Sequence, residues 1–165
     1  MTIEERVAAL EAQLARIVSR EVQTTRLIIT DESGKAHAQL YVSKSKNGPS
    51  LCLFDENGKT RTQLFVSSTG PALYLGDENG KPRVVLGLSK DGPLLGLNDE
   101  NGKTRVQIIV TEKGPAISML DAEGTTRGQV LLSDEGPALQ LEDGNGETRA
   151  ELRVYKDGPA LGLGD

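Results

Sequence analysis

The sequence predicts an all-β repeat array that follows a short N-terminal α-helical coiled coil. Three observations indicate this fold class. A 22-residue unit recurs from Leu51 onward, two types of turn dipeptide punctuate it at fixed spacing, and only the first residues show a helical pattern. One Asp in each unit marks the register: Asp55, Asp77, Asp99, Asp121, Asp143 and Asp165. A fixed period of this kind is typical of arrays in which each unit packs on its neighbours.

Composition disfavours several classes of function. The 165 residues carry a net charge of −5, which disfavours a sequence-independent grip on nucleic acid phosphates. The single cysteine, Cys52, excludes an intrachain disulfide and a cysteine metal cluster. Hydrophobic residues make up 36% and aromatic residues 3%, so we expect a thin core that is shared along an elongated object or between chains.

The sequence shows neither a membrane helix nor a signal peptide. No apolar run approaches the ~20 residues that a bilayer-spanning helix needs. The N-terminus is charged from Glu4 onward and lacks the apolar centre of a signal peptide. We therefore expect a cytoplasmic or virion-associated protein.

Residues 1–23 are predicted to form an oligomerisation helix, and residues 24–165 the repeat domain. Thr2 and Glu5 have the spacing of a capping box. The apolar positions alternate in steps of four and three and form a narrow seam: Ile3, Val7, Leu10, Leu14 and Ile17. A lone helix of this length is marginal in water, so the seam needs a partner. Packing on the chain's own β domain and packing on other chains both satisfy the pattern.

The run Arg6-Val7-Ala8-Ala9-Leu10-Glu11 resembles the short trimerisation signature of coiled coils. The resemblance implies that Arg6 pairs with Glu11 of a neighbouring chain. Leu14 and Ile17 at successive seam positions favour more than two helices, whereas Val7 with Leu10 favours two. We expect a homotrimer with these oligomerisation residues: Ile3, Arg6, Val7, Leu10, Glu11, Leu14 and Ile17.

Each unit is predicted to be a β-hairpin, which gives six to seven hairpin units in all. Alternation with period two places the aliphatic residues of both strands on one face. Asn57-Gly58 predicts a two-residue type I′ turn, which places Leu51 opposite Leu64. The Gly70-Pro71 turn is then expected to place Leu64 opposite Leu75. The units together form an antiparallel meander with one apolar face.

Something must cover that apolar face, and two arrangements remain open. In one, three chains bring their faces together on a common axis, as a homotrimeric β-prism or a triple-stranded β fibre. Twelve strands would then extend ~60 Å at about 4.8 Å per strand. In the other, a single chain forms a parallel β-solenoid with 22 residues per coil.

The repeated loops offer little chemistry beyond turn formation. Asp55-Glu56-Asn57-Gly58 matches the start of a calcium loop, but Val66 stands where the bidentate Glu would be. The aligned Arg residues, such as Arg61, predict an exposed charge ladder with the Asp row, and His37 takes the Arg position in the first unit. Cys52 is expected to serve packing. Because no catalytic set is present, we expect a protein that is not an enzyme and has no cofactor or metal.

The face opposite the apolar one carries the single hint of recognition. Tyr41, Phe54, Phe65, Tyr74 and Ile109 fall on it, mostly in the first half of the array, whereas Glu142, Glu151 and Arg153 occupy its last part. An exposed apolar patch can mark a partner site. Curling of the sheet or interleaving of strands is the alternative, in which these residues are buried.

A short coiled coil that leads directly into turn-punctuated β-repeats resembles trimeric fibre proteins of the phage tail fibre and fibrous adhesin stalk type. The D-E-N-G-K-x-R units are also similar to repeats in bacterial proteins. The resemblance implies a non-catalytic structural protein, a trimeric rod that acts as a spacer or attachment element. Its partner would be itself, with a surface glycan or protein as a further ligand. The alternative is a repeat-based binding module for a glycan, protein or ion. The period departs from triple β-spiral and needle-type repeats, so no particular fibre function carries over.

Overall fold

In the computed structural model the chain forms one helix followed by a single sheet of thirteen antiparallel strands. The structure describes residues 1–18, 23–42 and 48–164. The helix is α1 (Ile3–Val18). The strands are β1 (Arg26–Thr30), β2 (Ala36–Val42), β3 (Pro49–Phe54), β4 (Thr60–Ser67), β5 (Gly70–Gly76), β6 (Pro82–Ser89), β7 (Gly92–Asn98), β8 (Thr104–Thr111), β9 (Gly114–Leu120), β10 (Thr126–Ser133), β11 (Gly136–Glu142), β12 (Thr148–Tyr155) and β13 (Gly158–Leu163).

The strand order in the sheet follows the order in the sequence, from β1 to β13. Every neighbouring pair is antiparallel. The predicted meander is therefore confirmed. The alternative of a parallel solenoid is wrong, because a solenoid coil would pair each unit in parallel with the next.

The helix begins with the predicted capping box. The backbone N–H of Thr2 donates to Glu5 Oε2 at 2.7 Å, and the backbone N–H of Glu5 donates to Thr2 Oγ1 at 3.2 Å. Glu4 and Glu5 lie in the first turn, where carboxylates stabilise the helix by a favourable interaction with its dipole. The helix is described to Val18, and the rest of the predicted segment up to residue 22 lies outside the described residues.

The Asn-Gly connections are three-residue loops, so the predicted type I′ turns are wrong. The N–H of Asp55 donates to the carbonyl of Lys59, and the N–H of Gly58 donates to the carbonyl of Asp55, both at 3.0 Å. Gly58 has φ 73°, but Asn57 has no positive φ, as a type I′ turn requires. The geometry is that of a type I turn followed by a left-handed glycine.

The Asp side chain explains this choice of turn. Oδ1 of Asp55 accepts from the backbone N–H of Asn57 at 2.8 Å and of Lys59 at 3.0 Å. This local bonding stabilises Asn57 at negative φ. The same pair of bonds forms at the other loops, on Asp31, Asp77, Asp99, Asp121 and Asp143.

A β-bulge follows each of these loops. Pairing steps from Leu53 opposite Thr62 to Phe54 opposite Thr60, so Arg61 is an extra residue in β4. The corresponding extra residues in the other units are His37, Arg83, Arg105, Arg127 and Arg149. Beyond the bulge Leu51 lies opposite Leu64, as predicted.

At the opposite edge of the sheet, strands are joined by two-residue turns one step earlier than predicted. Ser67 pairs with Gly70, so the turn consists of residues 68 and 69 and the Gly-Pro pair begins β5. Leu64 therefore lies opposite Leu73, and the predicted pairing with Leu75 is wrong by two residues. A shift of two keeps every side chain on its face.

The register aligns one aliphatic side chain from every strand in a continuous row. These thirteen residues are direct cross-strand neighbours: Leu27, Leu40, Leu51, Leu64, Leu73, Leu86, Leu95, Ile108, Ile117, Val130, Leu139, Leu152 and Leu161. Further Leu and Val residues flank the row. We call this side of the sheet the aliphatic face.

The opposite side, here the polar face, contains most of the least accessible residues. Ser50 is 3% exposed, Cys52 5% and Ala138 4%. Some directly opposed residues on this face combine a large and a small side chain, as in Phe65 with Ala72. Where the first position becomes Gly87, the second becomes Leu94. Cys52 is buried on this face and serves packing there, as expected.

Strands that follow the two-residue turns, such as β7, begin with glycine because the backbone of the neighbouring strand comes close there. A Cβ on Gly92, which has φ 123°, would overlap the carbonyl oxygen of Val110. We expect Gly92→Ala to lower the free energy of unfolding by about 1–3 kcal/mol, through strain and overlap. Gly144→Ala is the matched control, because nothing lies within 4 Å and its φ is not left-handed. Urea unfolding at equal chain concentration measures both, and equal losses would contradict the packing argument.

Candidate functional site

The apolar seam of α1 is uncovered. Exposure is 80% for Ile3, 46% for Val7, 62% for Leu10 and 60% for Leu14. In the described part of the chain α1 contacts none of the strands. Packing of the helix on its own sheet, one of the two arrangements that the pattern allowed, is therefore not what the structure shows.

The remaining predicted oligomerisation residues are placed only in part. Arg6 and Glu11 are exposed on α1. Ile17 lies within the helix, but its side chain is outside the described residues. The helix thus presents a seam flanked by charges, which leaves the pairing of Arg6 with Glu11 of another chain a prediction.

The aliphatic face of the sheet is uncovered as well. Twenty-four large aliphatic side chains on it are exposed, from 39% at Leu51 to 78% at Leu163. The described residues form one sheet layer, and no second layer covers this face. A soluble monomer seldom leaves more than about 300–600 Å² of apolar surface in one patch. The aliphatic face is therefore the candidate assembly interface.

The predicted charge ladder is confirmed along the loop edge of the sheet. Each bulged arginine faces the loop aspartate of its own unit: Arg61 and Asp55 at 3.4 Å, Arg83 and Asp77 at 3.6 Å, Arg105 and Asp99 at 3.4 Å, Arg127 and Asp121 at 3.5 Å, Arg149 and Asp143 at 2.7 Å. His37 replaces arginine in the first unit, where its Nε2 lies 2.9 Å from Oδ2 of Asp31.

Several arginines also connect their unit to the next one. Nε of Arg61 donates to the carbonyl of Gly76 at 3.0 Å, and Nε of Arg105 donates to the carbonyl of Leu120 at 2.9 Å. Nζ of Lys81 reaches the carbonyl of Glu100 at 3.0 Å. The ladder therefore joins loops along the array as well as across each hairpin.

The loops hold their aspartates in the charged form. The backbone N–H of Lys59 is the main cause that lowers the pKa of Asp55, with smaller effects from Asn57 and Arg61. The Ser33 hydroxyl and then His37 place the pKa of Asp31 well below its usual value. For Asp77 desolvation is the largest influence and raises the pKa, but the hydrogen bonds and Arg83 together outweigh it.

These loops are poorly suited to a cation. Oδ1 of Asp55 is engaged by two backbone amides, and Arg61 occupies the side of Oδ2. Within the described ranges no cluster of three or more His, Cys, Asp or Glu is arranged to hold a metal ion. No helix in that part of the chain is long and apolar enough to cross a membrane.

A polar network at the C-terminal end of the polar face was missed by sequence reasoning. Arg153 is 6% exposed, and it lies 2.6 Å from Glu151 and 3.4 Å from Glu135. Gln129 and Gln140 extend the network to Glu151 through bonds of 2.8 Å. The available signal was the charge of Arg153 at a position where earlier units carry an uncharged residue, such as Ile109 or Leu131.

Comparisons with known proteins assign no family. No family model matches the chain, and no curated protein matches it. One solved structure with local similarity is a mutant of S. aureus TarM in complex with fondaparinux, alpha-GlcNAc-glycerol and UDP. The TM-score is 0.39 and the identity 12%, over 79% of this chain and 23% of that one. At that score the likeness carries no argument about fold or function.

The lowered aspartate pKa values predict a loss of stability in acid. A carboxyl whose pKa is lower in the folded state stabilises fully above its unfolded pKa, about 3.9, and loses that contribution as the pH falls. We expect the free energy of unfolding to decrease below about pH 5. Asp99→Asn retains an acceptor for the loop amides but loses the charge. The difference in the free energy of unfolding between wild type and this variant should therefore become smaller as the pH falls from 7 to 3.

Asp91→Asn is the control, because Asp91 lies in a turn at the other edge of the sheet with a 71% exposed side chain. Urea unfolding across pH measures both variants. A deficit of Asp99→Asn that stays constant with pH would contradict the assignment.

Proposed function

We propose that the protein is a non-catalytic structural rod, in which three copies of the chain pack their aliphatic faces around a common axis. The observation that carries the proposal is the unbroken row of thirteen aliphatic residues on a face that the chain itself leaves open. Burial stabilises by about 25 cal/mol per Å² of apolar surface. A face of this size therefore provides a strong driving force for association.

Further copies of this chain are the partner that fits best. The helix seam and the aliphatic face are both uncovered, and further copies of the chain can cover both. A second copy supplies a matching seam and a face with the same repeat. The trimerisation signature from Arg6 to Glu11 favours three chains over two.

The rod would serve as a spacer or attachment element. Thirteen strands at about 4.8 Å give a sheet ~60 Å long, and the 16 residues of α1 add ~24 Å. In this assembly the polar face and the charged loop edges point outward. A repeat-based binding module is the alternative, in which a ligand would bind once per unit with a stoichiometry near the number of units.

The first test is the mass in solution, by light scattering after size exclusion. We expect the full chain to have the mass of three chains, and a chain that lacks residues 1–22 to have a weakened or lost trimer. A monomer in both cases would sink the proposal.

A substitution on the aliphatic face tests the interface itself. Ile108 is 40% exposed in the single chain, so Ile108→Glu should be harmless if that face meets water. In the proposed trimer it buries three carboxylates near the axis, which should reduce the mass to that of a monomer. Gln107→Glu is the control, because the adjacent residue of the same strand faces the polar side. Equal masses for the two variants would contradict the assembly.

The predicted contact in the helix is tested by charge reversal. Arg6→Glu should lower the melting temperature of the trimer, because like charges would meet Glu11 of a neighbouring chain, at a cost of about 1 kcal/mol or less per pair. The double variant Arg6→Glu with Glu11→Arg should recover the loss. If the double variant is no more stable than the single ones, the two residues do not pair.

A further inference from the structure

Aromatic residues depart from the repeat near the N-terminal end of the array. Four of the five Phe and Tyr residues lie on the polar face of four consecutive strands, β2 to β5: Tyr41, Phe54, Phe65 and Tyr74. The positions of Phe54 and Tyr74 are occupied in the next unit by Gly76 and Gly96. Because the hairpin forms equally well with either residue type, these aromatics are not required by the repeat.

Two adjoining grooves lie among these aromatics. The first has a volume of about 310 Å³ and is lined by Arg26, Tyr41, Phe54 and Gln63, among others. The second has a volume of about 190 Å³ and includes Gln63 and Tyr74. Thr60 and Gln63 line both, so the grooves are continuous. Together they reach the lower part of the ~300–1,000 Å³ range of small-ligand sites.

Two polar groups that line the grooves have no hydrogen-bond partner among the described residues. In the described part of the chain neither the Gln63 amide nor the Tyr74 hydroxyl makes a hydrogen bond, although both residues are half-buried. Farther along the same row, Gln129 and Gln140 bond to each other at 2.8 Å and to nearby glutamates. Among the described residues no buried side-chain polar atom lacks a partner, so the Gln63 amide and the Tyr74 hydroxyl are open to solvent and available to a ligand.

The lining of the grooves also favours a ligand without charge. The two arginines of the grooves are already engaged, Arg26 by the Gln39 amide oxygen at 2.7 Å and Arg61 by Asp55. No aspartate or glutamate lines either groove. The free groups are therefore an amide and hydroxyls, which both donate and accept hydrogen bonds.

We propose that this groove, from Tyr41 to Tyr74, binds a neutral saccharide. A sugar ring offers flat C–H faces to the aromatic rings and hydroxyls that match groups able to donate and accept. The outward orientation of the groove, and its presence three times around the rod, rest on the proposed trimer. Three sites on one rod favour a polymer with repeated sugar units, through avidity.

The test uses the full-length protein and three neutral hexasaccharides as probes: maltohexaose, cellohexaose and chitohexaose. Calorimetry measures binding, and tyrosine fluorescence provides a second signal because the chain has no Trp. We expect at least one probe to bind, and Tyr74→Ala to weaken that binding about tenfold or more. Gln107→Ala should bind as wild type, since Gln107 holds the register position of Gln63 two units farther along.

Light scattering on each variant separates loss of binding from loss of assembly. If Tyr74→Ala does not assemble, Gln63→Ala decides, because it removes only the unpartnered amide. No binding by any probe overturns the proposal, as does equal weakening by Gln63→Ala and Gln107→Ala. Binding of a proline-rich peptide that depends on Tyr74, without saccharide binding, also overturns it. If the chain is monomeric but binds saccharide through Tyr74, the proposal of the groove holds and the proposal of the trimer is wrong.

Discussion

The architecture depends on a parity rule that each hairpin satisfies with one extra residue. With a three-residue loop and no bulge, the pairing of the two strands would be shifted by one residue, and Leu51 would lie opposite Gln63. One face would then mix aliphatic and polar side chains. The bulge at Arg61 adds one residue to β4 and restores Leu51 opposite Leu64. Repeated in every hairpin of this kind, the correction keeps thirteen aliphatic residues in one row.

The loop and the bulge are also linked chemically. The loop aspartate uses Oδ1 to hold the turn amides, which leaves Oδ2 directed at the bulged cation, as in Asp99 and Arg105. A partly exposed ion pair of this kind contributes little by itself. Its value here is geometric, because the same two residues define the turn and mark the position of the extra residue. This explains why Asp and the bulged cation recur with the unit, together with the left-handed glycine of the loop, while the other residues between them vary.

Sequence reasoning reached the correct sheet through a turn that does not occur. A two-residue turn at Asn57-Gly58 and a three-residue loop with a bulge give the same pairing farther from the turn, so the prediction of Leu51 opposite Leu64 was right for the wrong reason. At the other edge of the sheet, the alternation of apolar and polar residues predicted the face on which each side chain lies, but not the register of strand pairing. Pairing Leu64 with Leu73 or with Leu75 leaves the same residues aliphatic, and only the position of the turn distinguishes them.

The parts that sequence reasoning missed are those where a residue leaves the repeat. The seam of α1 and the Asp–Arg ladder were predictable because each rests on spacing alone. The burial of Arg153 was not, since its surroundings depend on Ser133 at the end of β10, Glu135 in the turn that follows and Glu151 on β12 coming together. The state of the Gln63 amide depended in the same way on neighbours that alternation does not specify.

The repeat itself helps to separate structural from functional residues. Positions that recur in every unit are needed by every hairpin, so they describe how the sheet is built. Positions that change without disturbing the hairpin are free to carry another role, and on the polar face they change in a graded way. Aromatic residues with unpartnered amide and hydroxyl groups occupy one end, and a saturated network around Arg153 occupies the other. A uniform spacer gains nothing from that difference, so the difference favours the proposal that one end of the array is specialised for contact.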